Sequence, residues 1–193
     1  MVVYFGRLAF ETRDTVYAPR EDSYLLARNQ SVKPGSRVLD VGTGCGMQAL
    51  VAAGTGGEVV GVDVNPDAVE LSRYNANLNR IVNCEFFLSD LFENVEGRFD
   101  HILFNPPYLD VREEGKIGLS YSGGSSGVAV IRRFMEDAAG FLEGDGAVQI
   151  LASSINNQEN LERLFERNGF SHSLSETHNL FFEQLYLYEL KLG

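Results

Sequence analysis

The sequence predicts an α/β protein, a mostly parallel sheet with helices on both faces. Three observations carry that expectation. From Arg37 onward, short apolar runs alternate with stretches of helical periodicity. The first run, Arg37–Val41, passes straight into Gly42-Thr43-Gly44-Cys45-Gly46 and then into a helical stretch. Strand, glycine turn and helix in that order form a nucleotide-cradling unit. Near the far end, two strand-like runs with a tight connection read as an antiparallel hairpin.

Composition narrows the class. The chain has 193 residues, 44% of them apolar, which suits one domain with a sizeable core. Its net charge is −11, from 27 acidic against 16 basic residues. That argues against a broad surface for nucleic-acid backbone, which needs clustered Lys and Arg. Arg132-Arg133 is the only adjacent basic pair. Cys45 and Cys84 lack metal-ligand or disulfide-framework spacing and read as reduced intracellular thiols. The opening residues do not have the shape of a signal peptide, and no run approaches the ~18 apolar residues of a membrane helix. A soluble, cytoplasmic protein is expected.

Residues 1–18 alternate apolar and polar side chains, as one or two strands do. Tyr17-Ala18-Pro19-Arg20-Glu21-Asp22-Ser23 then leads into Tyr24-Leu25-Leu26-Ala27-Arg28. Proline near the start, acids in the first turn and leucines after them mark a helix N-terminus. From chemistry alone it reads as a capped surface helix. Lys33-Pro34-Gly35 is a turn, and Arg37–Val41 is a buried parallel strand. The glycine turn after it lets backbone approach a ligand, and the helix from Met47 to Ala53 presents free N–H groups there. A dinucleotide fingerprint would need glycine where Met47 stands. The pattern is Gly-x-Gly-x-Gly, preceded by Asp40, which favours a smaller nucleoside cofactor over a pyrophosphate one.

Glu58–Val62 is the next strand, ending at Asp63, 21 residues after Gly42. An acid there accepts hydrogen bonds from both ribose hydroxyls. Its competing role is to cap the helix that Asn65-Pro66 opens, from about Asp67 to Leu78. Asn65 fills that role better and releases Asp63 for a ligand. Cys84–Leu88 is a third strand, ended by Ser89-Asp90-Leu91-Phe92, where Asp90 can accept from an adenine amine or cap a loop. Phe99–Phe104 is the fourth, and Asn105-Pro106-Pro107-Tyr108 ends it. Prolines cannot continue a ladder, and a residue before proline is held extended. The corner presents two acceptors, Asn105 Oδ1 and the Pro106 carbonyl, and the flat ring of Tyr108. Two acceptors and a ring suit a planar nitrogen bearing N–H bonds. The four strand ends, at Asp40/Gly42, Asp63, Asp90 and Asn105, converge on one sheet edge, where ligands of open α/β sheets bind.

Residues 109–127 form a long polar loop with Gly123-Gly124-Ser125-Ser126-Gly127, expected to be a substrate-side flap. Val128–Leu142 is helical, Gly144-Asp145-Gly146 turns into strand Ala147–Ala152, and Glu159–Asn168 is a helix stopped by Gly169. His172–Thr177 and Phe181–Leu190 make the hairpin, whose aromatics are expected in the core. His101, His172 and His178 have no metal-ligand spacing. No Gly-Lys-Ser/Thr phosphate loop occurs.

In this order, Asp40-Val41-Gly42-Thr43-Gly44-Cys45-Gly46, Asp63, Asp90 and Asn105-Pro106-Pro107-Tyr108 resemble the motifs of a class I S-adenosylmethionine-dependent methyltransferase. Pro19-Arg20-Glu21-Asp22-Ser23 resembles the segment before the first motif in the HemK/PrmC group of protein-glutamine methyltransferases, with Ser23 where Thr is usual. About 37 residues precede the first strand of the sheet, in place of that group's bacterial helical domain. With Gly123–Gly127, this resembles the short archaeal and eukaryotic branch. The resemblance implies a Rossmann-like, seven-stranded sheet of order 3-2-1-4-5-7-6 with the last strand antiparallel. It also implies one methyltransferase domain over 1–193, with residues 1–36 as a cap segment and 37–193 as the core. The cofactor would be S-adenosylmethionine, leaving as S-adenosylhomocysteine, with no metal. It would be held by Asp40, Gly42, Thr43 and Gly44 at the methionine part, Asp63 and Val64 at the ribose, and Asp90 and Leu91 at the adenine. Glu21, Asp22 and Ser23 would close over it, with Asn105 beside it.

The implied reaction is methyl transfer to an amide nitrogen, the glutamine of the Gly-Gly-Gln motif of a class I release factor. Asn105, Pro106 and Tyr108 would be catalytic, and Pro107 would help bind the substrate. A small zinc-binding activator protein is an implied partner. Two other acceptors fit the same corner: an exocyclic amine of adenine or guanine in RNA or DNA, and a protein lysine. A non-catalytic cofactor-binding subunit is the reading from a different class. The acidic charge and the intact corner weigh against the nucleic-acid and non-catalytic readings respectively.

Overall fold

The computed structural model describes residues 1–107 and 128–193. The first elements are a hairpin, β1 (Val2–Phe5) and β2 (Leu8–Glu11), followed by helix α1 (Glu21–Arg28). Then come β3 (Val38–Val41), α2 (Met47–Ala53), β4 (Val59–Asp63), α3 (Pro66–Leu78), β5 (Cys84–Leu88) and β6 (Phe99–Phe104). The rest is α4 (Val128–Phe141), β7 (Leu142–Ser153), α5 (Gln158–Arg167), β8 (Phe170–Asn179) and β9 (Gln184–Leu192).

Among the described residues, seven strands form one sheet in the order β5-β4-β3-β6-β7-β9-β8. Numbered from β3, that is the expected 3-2-1-4-5-7-6. β5 through β7 pair in parallel, and β9 runs antiparallel to both β7 and β8. Alternate residues of the central strands feed opposite faces, as a period of two requires. Leu39, Val41, Ile102 and Phe104 join the cluster under α4 and α5, which includes Ile131, Phe134 and Phe165. Val38, Val59 and Leu103 join the cluster under α2 and α3. Helices therefore cover both faces. No helix among the described residues is long and apolar enough to cross a membrane.

The β1–β2 hairpin is not part of the large sheet. Phe10 is buried on the α2/α3 side, and two asparagines one helical turn apart fasten the backbone. Asn79 Oδ1 accepts from Ala9 N at 2.9 Å, and Asn79 Nδ2 donates to Ala9 O at 2.7 Å. Asn75 repeats the pattern with Glu11 N and Glu11 O at 2.8 and 3.1 Å.

Two expectations are corrected near the C-terminal end. β7 begins at Leu142, and the Gly144-Asp145-Gly146 turn sits inside it as an interruption of the ladder. Phe99 pairs with Leu142, but His101 pairs with Ala147, so the residues between bulge out. Phe181 and Phe182, expected in a strand and in the core, lie in the connection between β8 and β9 and are 91% and 93% exposed. The turn closes through Leu180 N donating to Glu183 O, and Leu180 is the residue that packs inward. Tyr186 and Tyr188 are in the core as expected.

Candidate active site

β3 is buried along its length, and its chain must turn sharply to enter α2 on one face of the sheet. The turn needs left-handed backbone, which glycine adopts without strain. At Gly46, φ is +86°, and a Cβ there would lie 3.1 Å from Ser72 Cβ, so glycine also permits the approach of α2 to α3. The Gly44 N–H donates to Asp63 Oδ2 at 2.9 Å, and Asn65 N donates to Asp63 Oδ1 at 2.9 Å. Asn65 Oδ1 accepts from Asp67 N at 3.0 Å, so Asn65 caps α3 as expected. Asp63 lines the cavity at these strand ends. Burial holds its carboxyl above the ordinary carboxylate range.

Asp40 is placed differently from Asp63. It is buried beneath the turn, where Asp40 Oδ2 accepts from Thr43 Oγ1 at 2.7 Å and from Ala49 N at 3.1 Å. Neither Asp40 nor Thr43 lines the cavity, so they shape the turn from below. Desolvation pushes the Asp40 carboxyl from 3.8 up to about 7, against the lowering effect of those two donors. The folded chain therefore keeps a proton that the unfolded chain releases between those values. Its contribution to stability is full below the unfolded pKa and is lost as pH rises through about 7. In Asp40→Asn the amide oxygen still accepts from Thr43 and Ala49, but nothing titrates. Urea-unfolding midpoints taken from acid to neutral pH should fall more steeply in the wild type than in Asp40→Asn. Equal slopes would refute the assignment.

At the end of β5, Leu91 holds a φ of +52°, a conformation a leucine rarely adopts. Ser89 steadies the segment: its hydroxyl donates to Leu91 O at 2.9 Å and accepts from Asn94 N at 3.0 Å. Asp90 and Leu91 both line the cavity, as does Arg133 from α4. Arg133 Nη2 donates to Asp90 Oδ2 at 2.9 Å. The sequence shows Arg133 only as half of a basic pair. Its partner 43 residues away becomes visible once α4 covers β6.

Asn105 follows β6 at the same edge. Its Oδ1 is buried without a hydrogen-bond partner among the described residues, while its Nδ2 donates to Asp22 Oδ2 at 3.2 Å. Tyr17 Oη donates to the same Asp22 oxygen at 2.9 Å. Asp22 and Ser23 are buried and line the cavity, so the first turn of α1 is part of the site. Glu21 is exposed and does not line it. Gln48 explains how α1 is held: its Nε2 donates to Ser23 O at 2.9 Å, and Gln30 Nε2 donates to Gln48 Oε1 at 3.0 Å. Gln48 was legible only as a lone amide in an apolar helix. Pro106 and Pro107 line the cavity, whereas Tyr108 and the 109–127 loop lie outside the described residues. Gly42, Gly44 and Val64 complete a cavity of about 330 Å³, within the size range of small-molecule sites.

Residues 8–173 match the family model described as the methyltransferase small domain. The chain belongs to that family. Over 190 residues, this small-domain methyltransferase is 39% identical to a provisionally named protein N5-glutamine methyltransferase of Methanocaldococcus jannaschii, covering 96% of each chain. It is 33% identical over 191 residues to the release factor glutamine methyltransferase of Haemophilus influenzae, covering 85% of this chain and 65% of that one. It thus spans just under two thirds of the bacterial relative's length. Its fold superimposes on the E. cuniculi Mtq2–Trm112 complex, described as methylating the eRF1 translation termination factor. There the TM-score is 0.71, with 23% identity over 93% of this chain and 99% of that one.

Methyltransferases of this family take the methyl group from S-adenosylmethionine. The cavity of the small-domain methyltransferase fits such a group. It has the half-buried carboxylate of Asp63, a close-approach glycine backbone at Gly42 and Gly44, and an apolar wall at Leu91. Among the described residues, no cluster of His, Cys, Asp or Glu could hold a metal ion.

Proposed function

We propose that this enzyme methylates the amide nitrogen of a glutamine, that of the Gly-Gly-Gln motif of a class I release factor. The observation that carries the reading is Asn105 Oδ1, a buried acceptor without a partner among the described residues, at the edge of the cavity. A buried acceptor of that kind calls for a donor from the substrate. The name of the M. jannaschii relative and the covered length of both chains support the same acceptor.

S-adenosylmethionine, when bound, supplies an electrophilic methyl group on a sulfonium. We assign its ribose to Asp63, its adenine to Asp90 and Leu91, and its methionine part to Gly42 and Gly44. An amide nitrogen is a weak nucleophile, because its lone pair is delocalised into the carbonyl. Asn105 Oδ1 and the Pro106 carbonyl would accept its two N–H bonds, which fixes where the lone pair points. Those acceptors also favour positive charge developing on nitrogen. The methylated nitrogen then loses a proton readily, so no strong base is required. Tyr108 would pack on the amide plane.

The test is transfer of labelled methyl to a matched release factor, with the same factor carrying an altered Gly-Gly-Gln glutamine as control. Both are run with and without a small zinc-binding activator, and with ribosomal RNA, DNA and lysine-rich protein in parallel. Label on the factor that is lost in the control supports glutamine methylation. Label confined to nucleic acid or to lysine reassigns the acceptor and leaves the cofactor site standing. A cytoplasmic location, where translation factors work, accompanies the proposal.

A further inference from the structure

We propose that Asp22 is the positioning residue that sets which face of the Asn105 side-chain amide meets the substrate. The inference rests on the glutamine reading above and gives Asp22 a role toward the acceptor amide as well as the cofactor cavity. An asparagine amide can turn over at almost no steric cost, exchanging an acceptor for a donor. For Asn105 the two orientations have opposite consequences, since a substrate N–H needs an oxygen. Nothing in the Asn-Pro-Pro sequence itself selects between them.

The selection comes from α1. Both Asp22 oxygens act as acceptors. Oδ1 accepts from Ser23 N at 2.6 Å and from Ser23 Oγ at 3.1 Å. Oδ2 accepts from Tyr17 Oη at 2.9 Å and from Asn105 Nδ2 at 3.2 Å. Both oxygens thus accept, so the Asn105 nitrogen must face this carboxyl group and Asn105 Oδ1 must face away. Asp22 cannot drift, because it is buried and Gln48 ties the Ser23 carbonyl to α2. Residues 83 positions apart in the chain thus share one polarity.

Asp22→Asn keeps the shape and reverses that polarity. The Ser23 N–H is fixed backbone, so it retains the oxygen of the new amide. The new NH2 then faces Asn105 and Tyr17. Asn105 turns over to avoid a donor–donor contact and presents Nδ2 to the substrate. The expected result is a fall in kcat of about a hundredfold, the scale of losing one preorganised transition-state partner. The Kd for S-adenosylmethionine and the KM for the protein substrate stay within about threefold. The double variant Asp22→Asn with Asn105→Asp restores an acceptor oxygen facing outward, while the second carboxylate oxygen at position 105 accepts from the NH2 introduced at position 22. It should recover about tenfold over Asp22→Asn, a coupling that independent damage at two sites would not give.

Loss of cofactor affinity parallel to the loss of kcat in Asp22→Asn overturns the inference, as does a double variant no better than either single one. Thermal melts of each variant with bound cofactor separate misfolding from misorientation. If the wild type transfers no methyl to the Gly-Gly-Gln factor, the glutamine reading fails by itself. The orientation is then read from the Asn105 side-chain NH2 resonances in asparagine-labelled protein. A contact from that NH2 to the Tyr17 hydroxyl proton, lost in Asp22→Asn, supports the inference. The same spectrum in both proteins refutes it.

Discussion

Asn105→Ala should lower turnover by about a thousandfold or more while leaving S-adenosylmethionine affinity within a few-fold. The magnitude exceeds that of one ordinary hydrogen bond because two things go together. The substrate nitrogen loses its acceptor, and with a single remaining carbonyl at Pro106 it is no longer held against rotation. Cofactor affinity is insulated, because Gly44, Asp63 and Leu91 keep their own partners in the turn, in α3 and in the Ser89 network. The measurement is single-turnover transfer to the release factor beside calorimetric titration of the cofactor. Turnover at the wild-type level in this variant would remove Asn105 from the mechanism.

The second large effect is expected at Asp63 and falls on binding. Asp63→Asn should weaken S-adenosylmethionine by about a hundredfold, on the order of 3 kcal/mol, which is the scale of a lost charge-assisted hydrogen bond. The isosteric change is harmful because both oxygens are already committed to rigid backbone donors, Gly44 N and Asn65 N, each at 2.9 Å. An amide must turn its NH2 toward one of them. If Gly44 is lost, the glycine turn moves. If Asn65 is lost, the start of α3 moves. Either way the ribose acceptor is no longer a carboxylate. Titration of the cofactor into the variant decides the matter, and an affinity within threefold of wild type would reassign the ribose to another group.

The parts of this molecule that follow a short-range rule were legible in the sequence. Val38–Val41, Val59–Asp63 and Phe99–Phe104 are short runs dominated by apolar residues, so a largely buried strand follows from composition. Gly46 must be glycine for a local conformational reason, and Asn65-Pro66 starts a helix by its own chemistry. What was not legible depends on partners far along the chain. From its own residues the first turn of α1 reads as a solvated cap; only the family resemblance pointed Asp22 and Ser23 to the site, and Asn105 and Gln48 supply the physical reason. Arg133 reads as surface charge until Asp90 faces it. Asp40 belongs to the same recognisable run as Gly42, yet a run of residues carries no information about which of its side chains reach the cavity. Phe181 and Phe182 misled because aromatic content points to burial, whereas the turn they occupy needs only Leu180 to anchor it.

Asn75 in α3 and Asn79 at its C-cap bear on the order of assembly. Asn75 and Asn79 offer β2 what a neighbouring strand would offer, an N–H and a C=O at alternate residues, but from side chains of a helix. The hairpin cannot acquire that false neighbour until α3 exists, and the bonds close intervals of 64 and 70 residues. Closure over such distances is slow relative to local contacts. The hairpin should therefore be among the last regions to gain protection from amide hydrogen exchange during refolding, although it precedes every strand of the large sheet in the chain. Since Asn75 Nδ2 also donates to Cys45 O at 2.9 Å, the arrival of the hairpin and the final setting of the glycine turn would be one event.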